Sequence, residues 1–167
     1  MADVIFILIA VLLVAVYVVS YIAAHQKLPE SLSATVYEMP KGYEWQWTAW
    51  LTAVAVCLFV PLVERYEWLG WLMEVSLIGA ALTPLIKKDT LKWHYAMAIA
   101  TGVISQVIVA INDINWLSVW MLFVFLFLSS YIQPEGWLGK AMKGKWMFLC
   151  QMTCFVGLIG SLLTNLT

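Results

Sequence analysis

The sequence predicts an all-α, polytopic membrane protein: a bundle of six transmembrane helices with both termini outside the cytoplasm. Three observations predict it, namely six long apolar segments, basic residues confined to alternate connections, and tryptophans at the segment ends. Hydrophobic residues make up 63% of the chain and charged residues 11%, whereas a soluble protein has about 25% charged residues. A soluble domain with this composition would expose large apolar patches. We therefore expect one membrane domain that covers residues 1–167.

The six predicted spans are almost free of charge and are long enough to cross a bilayer. They cover residues 4–24, 46–63, 68–86, 92–112, 116–132 and 146–165. A helix of 21 residues is roughly 30 Å long, which matches the hydrocarbon core of a bilayer. The first segment follows Asp3 and no Lys or Arg, so we expect a retained span rather than a signal peptide.

The distribution of Lys and Arg predicts the orientation of the spans. The connections 25–44, 87–92 and 134–145 contain two, three and three basic residues, and the opposite side has Arg65 alone. Positive residues in short loops stay on the cytoplasmic side. We expect a multi-pass protein of the inner or plasma membrane with both termini outside the cytoplasm.

The ten tryptophans lie near span ends, as interfacial aromatic belts do.

The connection 25–44 on the predicted cytoplasmic face contains alternating hydroxyl and apolar residues. Ser31, Ser33 and Thr35 alternate with apolar side chains up to Tyr37. In an extended backbone, the hydroxyl groups would lie along one edge and the apolar groups along the other. Two interpretations are open: a segment that lies on the membrane surface, or a lid over a substrate or a headgroup.

Glu74 lies seven residues into the third predicted span, roughly 10 Å below the non-cytoplasmic surface. A carboxylate at that depth is costly and usually faces the bundle interior or water. Gly70 and Ala81 share its helix face, which would let another helix approach closely. One interpretation is a contact for an ion, a proton or a substrate. The other is a neutral or hydrogen-bonded glutamate that locks the bundle.

The fourth predicted span carries a polar stripe that consists of His94, Thr101, Ser105 and Asn112. We expect this stripe to face the bundle interior and to meet the third span at Glu74. The fifth span offers no such stripe and is expected to face lipid. The side chains within the spans that form a candidate polar pathway are Glu74, Thr101, Ser105, Gln106, Asn112 and Gln151.

A second set of polar residues is expected near the cytoplasmic surface. Its members are His25, Ser31, Ser33, Tyr37, Asp89 and His94. Side chains of these types can bind a metal, but none of the paired-histidine spacings of known metal sites occurs. We therefore expect no metal site and no cofactor, and we assign no catalytic residue.

Transport or permeation of a small solute or ion is the leading functional hypothesis. A lipid-active membrane enzyme, or a lipid-binding protein at the cytoplasmic face, is the first alternative, and a structural or accessory membrane subunit is the second. Membrane lipids and further copies of the chain are the expected partners. Nothing in the sequence indicates nucleic-acid binding.

Overall fold

A computed structural model of the chain describes residues 2–86 and 91–164, and this part of the chain is helical without any strand. The helices are α1 (Ala2–His25), α2 (Glu44–Ile86), α3 (Leu91–Asn112), α4 (Val119–Ile132), α5 (Trp137–Met142) and α6 (Trp146–Thr164). Short 3-10 helices, Ala34–Glu38 and Ile114–Ser118, precede α2 and α4. Five helical stretches are long and apolar enough to cross a membrane: α1, α2, α3, the segment Ile114–Ile132 and α6. The described residues therefore confirm the all-α class, with five helical stretches suited to a membrane by length and composition.

The helix α2 folds back on itself at Glu67, where the backbone leaves the helical region (φ 42°, ψ −113°). Thr48 Oγ1 donates a hydrogen bond to the Ala81 carbonyl at 2.8 Å, although these residues would lie about 50 Å apart along a straight helix. The two halves are therefore antiparallel arms, which we call α2a (44–66) and α2b (68–86).

The two arms of α2 touch through backbone at Gly70. A Cβ atom placed there would lie 2.6 Å from the carbonyl oxygen of Leu62, which is closer than any side chain allows. A glycine at this position lets the arms approach closely, as small residues do between membrane helices.

The helix α1 packs along α2a, and α3 packs along α2b. Trp50 donates from Nε1 to the Leu13 carbonyl at 2.9 Å, and its ring stacks on Tyr17 with a centroid distance of 4.0 Å. On the other side of the hairpin, Gly79 lies beside the side chain of Met97. The α2 hairpin thus separates α1 from α3.

The helix α6 runs parallel to α3 and completes the core. Gln106 donates to the Cys154 carbonyl at 3.3 Å, and Asn112 donates to the Ser161 carbonyl. Residue numbers therefore increase in the same direction along both helices. The apolar core comprises Ile7, Ala10, Val14, Val54, Leu58, Leu62, Met73, Ile108, Val109, Leu158, Ile159 and Leu162. The helix α4 lies outside this core and exposes large apolar side chains such as Met121 and Phe125, as expected for a lipid-facing span.

Arg65 ties three helices together at one end of the bundle. Its guanidinium lies 3.5 Å from the carboxylate of Asp3 at the start of α1 and donates to the Leu162 carbonyl near the end of α6 at 3.4 Å. Both described ends of the chain therefore lie at this end, which we call the Arg65 end. The described lysines lie at the opposite, lysine end: Lys27, Lys41, Lys92, Lys140, Lys143 and Lys145.

The segment after Ser31 folds into a turn and a 3-10 helix, in which Ser31 Oγ accepts from the Ala34 amide at 2.9 Å and Thr35 Oγ1 donates to the Leu32 carbonyl at 2.5 Å. Such local side-chain bonds to backbone favour a tight turn over an extended strand. The stretch predicted as 116–132 lies within the apolar helical stretch Ile114–Ile132, which begins with the 3-10 helix and continues as α4 from Val119.

We expect Gly70→Ala to destabilise the bundle, because the added Cβ meets the rigid backbone of α2a. Separating the arms should cost about 1–3 kcal/mol, the usual effect of overpacking. Gly102→Ala is the matched control, since its Cβ would meet only Cys154 Sγ at an ordinary 3.9 Å and alanine favours a helix. Thermal unfolding in detergent measures both. Equal stability of the two variants would contradict the close packing of the arms.

Candidate functional site

Glu74 lies inside the bundle on α2b. Only 2% of the residue is exposed, and neither carboxyl oxygen has a hydrogen-bond partner within residues 2–86 and 91–164. A buried polar group without a partner loses its hydration and gains nothing in return. The carboxyl group therefore does not stabilise the fold through any described hydrogen bond.

The helix face that carries Glu74 packs against the other arm of the hairpin. Gly70 lies against Leu62 in α2a, and the carbonyl of Ala81 accepts its bond from Thr48 in α2a. This face therefore meets α2a at Gly70 and near Ala81, whereas α3 packs on the part of α2b marked by Gly79. The reason is the tight reversal at Glu67, which makes α2a the nearest neighbour of the small residues.

His94 is the second buried titratable side chain, with 1% of the residue exposed. Its Nδ1 lies 3.1 Å from the Ala80 carbonyl, and a carbonyl can only accept, so Nδ1 carries the proton of the neutral ring. Its Nε2 is then a lone pair, and it is buried without a described partner. The ring lies beside Trp47, with the centroids 6.0 Å apart.

Glu74 lies on α2b and His94 on α3, and they reach different depths along α2b, because His94 contacts α2b at the Ala80 carbonyl. Glu74 follows Glu67 by seven residues and precedes Ala80, the partner of His94, by six. At helical rise these intervals are about 10 Å and 9 Å. Another six residues lead from Ala80 to Ile86 at the end of α2b. Glu74 and Ala80, the residue that His94 contacts, therefore divide the length of α2b into three roughly equal steps.

The hydroxyl groups of the polar stripe on α3 are bonded within their own helix. Thr101 Oγ1 donates to the Met97 carbonyl at 2.9 Å, and Ser105 Oγ donates to the Gly102 carbonyl at 2.7 Å. Ser105 is buried and Thr101 is half-buried. Because each hydroxyl is bonded to the backbone of its own helix, this face of α3 can pack against protein without leaving a hydroxyl unpaired.

The three amide side chains among the candidates cross-link elements. Gln106 joins α3 to α6 through the Cys154 carbonyl and accepts from Trp120 Nε1 at 2.7 Å. Asn112 joins α3 to α6 at the Ser161 carbonyl, and Gln151 accepts from the Leu32 amide at 2.8 Å. These bonds fix the arrangement of helices, and they leave Glu74 as the pathway candidate without a described partner.

Among the described residues, the candidates at the lysine end share no hydrogen bond or ring contact with one another except the one between Ser31 and Ser33. His25 stacks on Tyr21 with a centroid distance of 4.3 Å, whereas His94 lies beside Trp47. Ser31 and Ser33 are buried and lie 3.2 Å apart, oxygen to oxygen.

Two further candidates complete this set. Tyr37 is exposed, and Asp89 lies outside the described residues. In the described ranges, no three His, Cys, Asp or Glu side chains are placed to bind a metal ion.

A cavity of about 240 Å³ at the lysine end was not predicted from the sequence. It lies between α1 and the segment that follows it, and is lined by Tyr17, Ser20, Tyr21, His25, Thr35, Glu38, Met39 and Pro40. The signal in the sequence is the pair Tyr17 and Tyr21, one helical turn apart on α1. Both polar tips reach partners in the segment after α1.

Glu38 is the charged group of this cavity. Tyr21 donates its hydroxyl proton to Glu38 Oε2 at 2.7 Å, and Lys27 Nζ lies 3.1 Å from the same oxygen. The Tyr21 hydrogen bond first, and the Lys27 ammonium second, hold the pKa of the Glu38 carboxyl below its usual value. Glu38 is therefore ionised at neutral pH.

Comparison with known proteins finds no matching family model, no matching curated protein and no matching solved structure.

Proposed function

We propose that the chain is a six-span protein of the inner or plasma membrane with both termini outside the cytoplasm. The two arms of α2, 44–66 and 68–86, are about 34 Å and 28 Å long at helical rise, so each is long enough for one crossing. Asp3 and Leu162 meet at Arg65, which supports an even number of crossings. The lysines at the other end support a cytoplasmic location for that end.

A reporter fused to the C-terminus tests this topology. A phosphatase that is active only outside the cytoplasm should be active there, and a fluorescent protein that matures only in the cytoplasm should stay dark. Fusions after Gly42 are the internal control and should give the opposite pair of signals. A fluorescent C-terminal fusion with an inactive phosphatase would contradict the proposed orientation.

We further propose that the bundle conducts protons or another small cation across the membrane. One observation carries this proposal: the buried side-chain polar atoms without partners in the described ranges are the two Glu74 oxygens and His94 Nε2. Each of these three atoms carries a free lone pair when the imidazole of His94 is neutral and the carboxyl of Glu74 is ionised. Lone pairs in a low-dielectric interior attract a proton or a cation and repel an anion.

The depths of the two residues support a stepwise path along α2b. Glu74 and His94 stand at about one third and two thirds of the arm, so each step is about 9–10 Å. Intramembrane acids and histidines serve as proton relays in pumps and transporters. Water or the hydroxyl groups of neighbouring helices would bridge the steps.

The alternative of a lipid-active enzyme has less support in the geometry. A serine nucleophile is activated by a base within hydrogen-bond reach, but Ser31 Oγ is bonded to Ser33 and to the Ala34 amide. His94 Nε2 has no described partner, so it is not bonded to either serine. A purely structural or accessory subunit is also less supported, because an unpartnered Glu74 does not lock the bundle.

Reconstituted vesicles test the proposed permeation. Purified protein is placed in vesicles that contain a pH-sensitive dye, and a potassium gradient with valinomycin drives cation entry. We expect proton uptake above that of protein-free vesicles, and Glu74→Gln should reduce it at least about tenfold, as loss of a relay group does. Glu64→Gln, an exposed carboxyl at the Arg65 end of α2a, should keep full activity.

Glu74→Leu separates this role from a structural one. Because the carboxyl has no described partner, leucine should raise the free energy of unfolding by about 1–3 kcal/mol while abolishing proton uptake. Wild-type vesicles no more permeable to protons, sodium or potassium than empty ones would contradict the proposal, as would full activity in Glu74→Gln.

A further inference from the structure

The lining of the cavity beside α1 is mostly apolar, and its polar side chains offer hydrogen-bond acceptors. Thr35 has one hydroxyl proton and donates it to the Leu32 carbonyl. The 2.5 Å contact between Tyr17 and Thr35 must therefore use the proton of Tyr17. Tyr21 likewise donates its proton to Glu38. Because the hydroxyl protons of Tyr17 and Tyr21 are already used in these bonds, the two phenolic oxygens can only accept a hydrogen bond from a ligand in the cavity.

Glu38 adds a negative charge with a free oxygen. Tyr21 and Lys27 both bind Oε2, and Oε1 has no partner in the described part of the chain. A cavity that offers a carboxylate oxygen and two phenolic lone pairs suits a ligand with several N–H donors and a positive charge. A primary ammonium group has three such donors, like the lysine side chain.

A positive group stands next to this cavity. Lys27 is about half exposed, and its Nζ lies 3.1 Å from Glu38 Oε2. Its ammonium can contact an anion while Glu38 contacts a cation. A zwitterion whose two charges are a few bonds apart therefore complements the site.

We propose that this cavity binds the headgroup of a phospholipid that carries a primary amine, namely phosphatidylethanolamine. The ammonium lies against Glu38, Tyr17 and Tyr21, and the phosphate lies against Lys27. This inference is independent of the proposed cation permeation, since it uses neither Glu74 nor His94.

The position of the cavity favours a lipid over a free headgroup. It lies at the lysine end of α1, where a span meets the interface. Val16 and Val19, on the same helix, expose 55% and 63% of their surface, so acyl chains can lie along α1 directly beneath the headgroup. A choline headgroup has no N–H to donate, and a glycerol headgroup has no cation, so both should bind more weakly.

Native mass spectrometry of the full chain in detergent tests the proposal. Phosphatidylethanolamine, phosphatidylcholine and phosphatidylglycerol with identical acyl chains are added at equal concentrations. We expect the ethanolamine lipid to be retained at least about fivefold more than the other two. Glu38→Gln should reduce its retention about tenfold, the usual effect of losing one charge-assisted hydrogen bond.

Two further variants keep the test decisive. Glu135→Gln removes an exposed carboxylate that also pairs with a lysine at the same end, and it should leave retention unchanged. Tyr17→Phe removes one lining oxygen without touching the Lys27–Glu38 pair, and it should lower retention about threefold. Equal retention of all three lipids would overturn the proposal, as would equal retention by Glu38→Gln and Glu135→Gln. Displacement by an equal concentration of soluble phosphoethanolamine would overturn the assignment to a lipid.

Discussion

The close packing of the two α2 arms is the constraint on which the rest of the structure depends. In a membrane, helices gain little from burying apolar surface, so association relies on close approach and on hydrogen bonds. Gly70 allows the approach and Thr48 supplies a bond between the arms. With the hairpin closed, α1 has one arm to pack on and α3 has the other. The side chain of Glu74 is then buried inside the protein.

The polar groups of the bundle fall into two classes with different consequences. Gln106, Asn112 and Gln151 each satisfy a partner on another element, and these bonds hold the helices in register. Glu74 and His94 Nε2 satisfy none that the structure describes. The first class explains how the bundle is assembled, and the second is where the proposed permeation would bind a cation. The cavity at Glu38 belongs to neither class because its polar groups are paired with one another and lie in the segment after α1 and on α1 itself.

The helices were predictable because the length of an apolar segment and the positions of its tryptophans follow from the thickness and the interfaces of a bilayer. The spans predicted at 4–24 and 92–112 lie within Ala2–His25 and Leu91–Asn112. A helix periodicity places Glu74 on the face of Gly70, but it does not say which neighbour that face meets. That choice depends on how tightly the chain reverses between the spans predicted at 46–63 and 68–86, where Glu67, a non-glycine residue, has a positive φ. The cavity escaped prediction for a similar reason, since Tyr21 and Glu38 are 17 residues apart in the sequence and meet only because the chain turns into a 3-10 helix after α1.

The central claim is that the buried carboxyl of Glu74 exchanges a proton or a cation, and infrared difference spectroscopy in lipid vesicles tests it most directly. Spectra of wild type and Glu74→Gln are compared as the external pH is stepped between acidic and alkaline values. The account predicts a carboxyl stretching band in wild type that changes reversibly with pH and is absent from Glu74→Gln. Pairs of spectra that superimpose at every pH would contradict it, because Glu74 would then be closed to exchange.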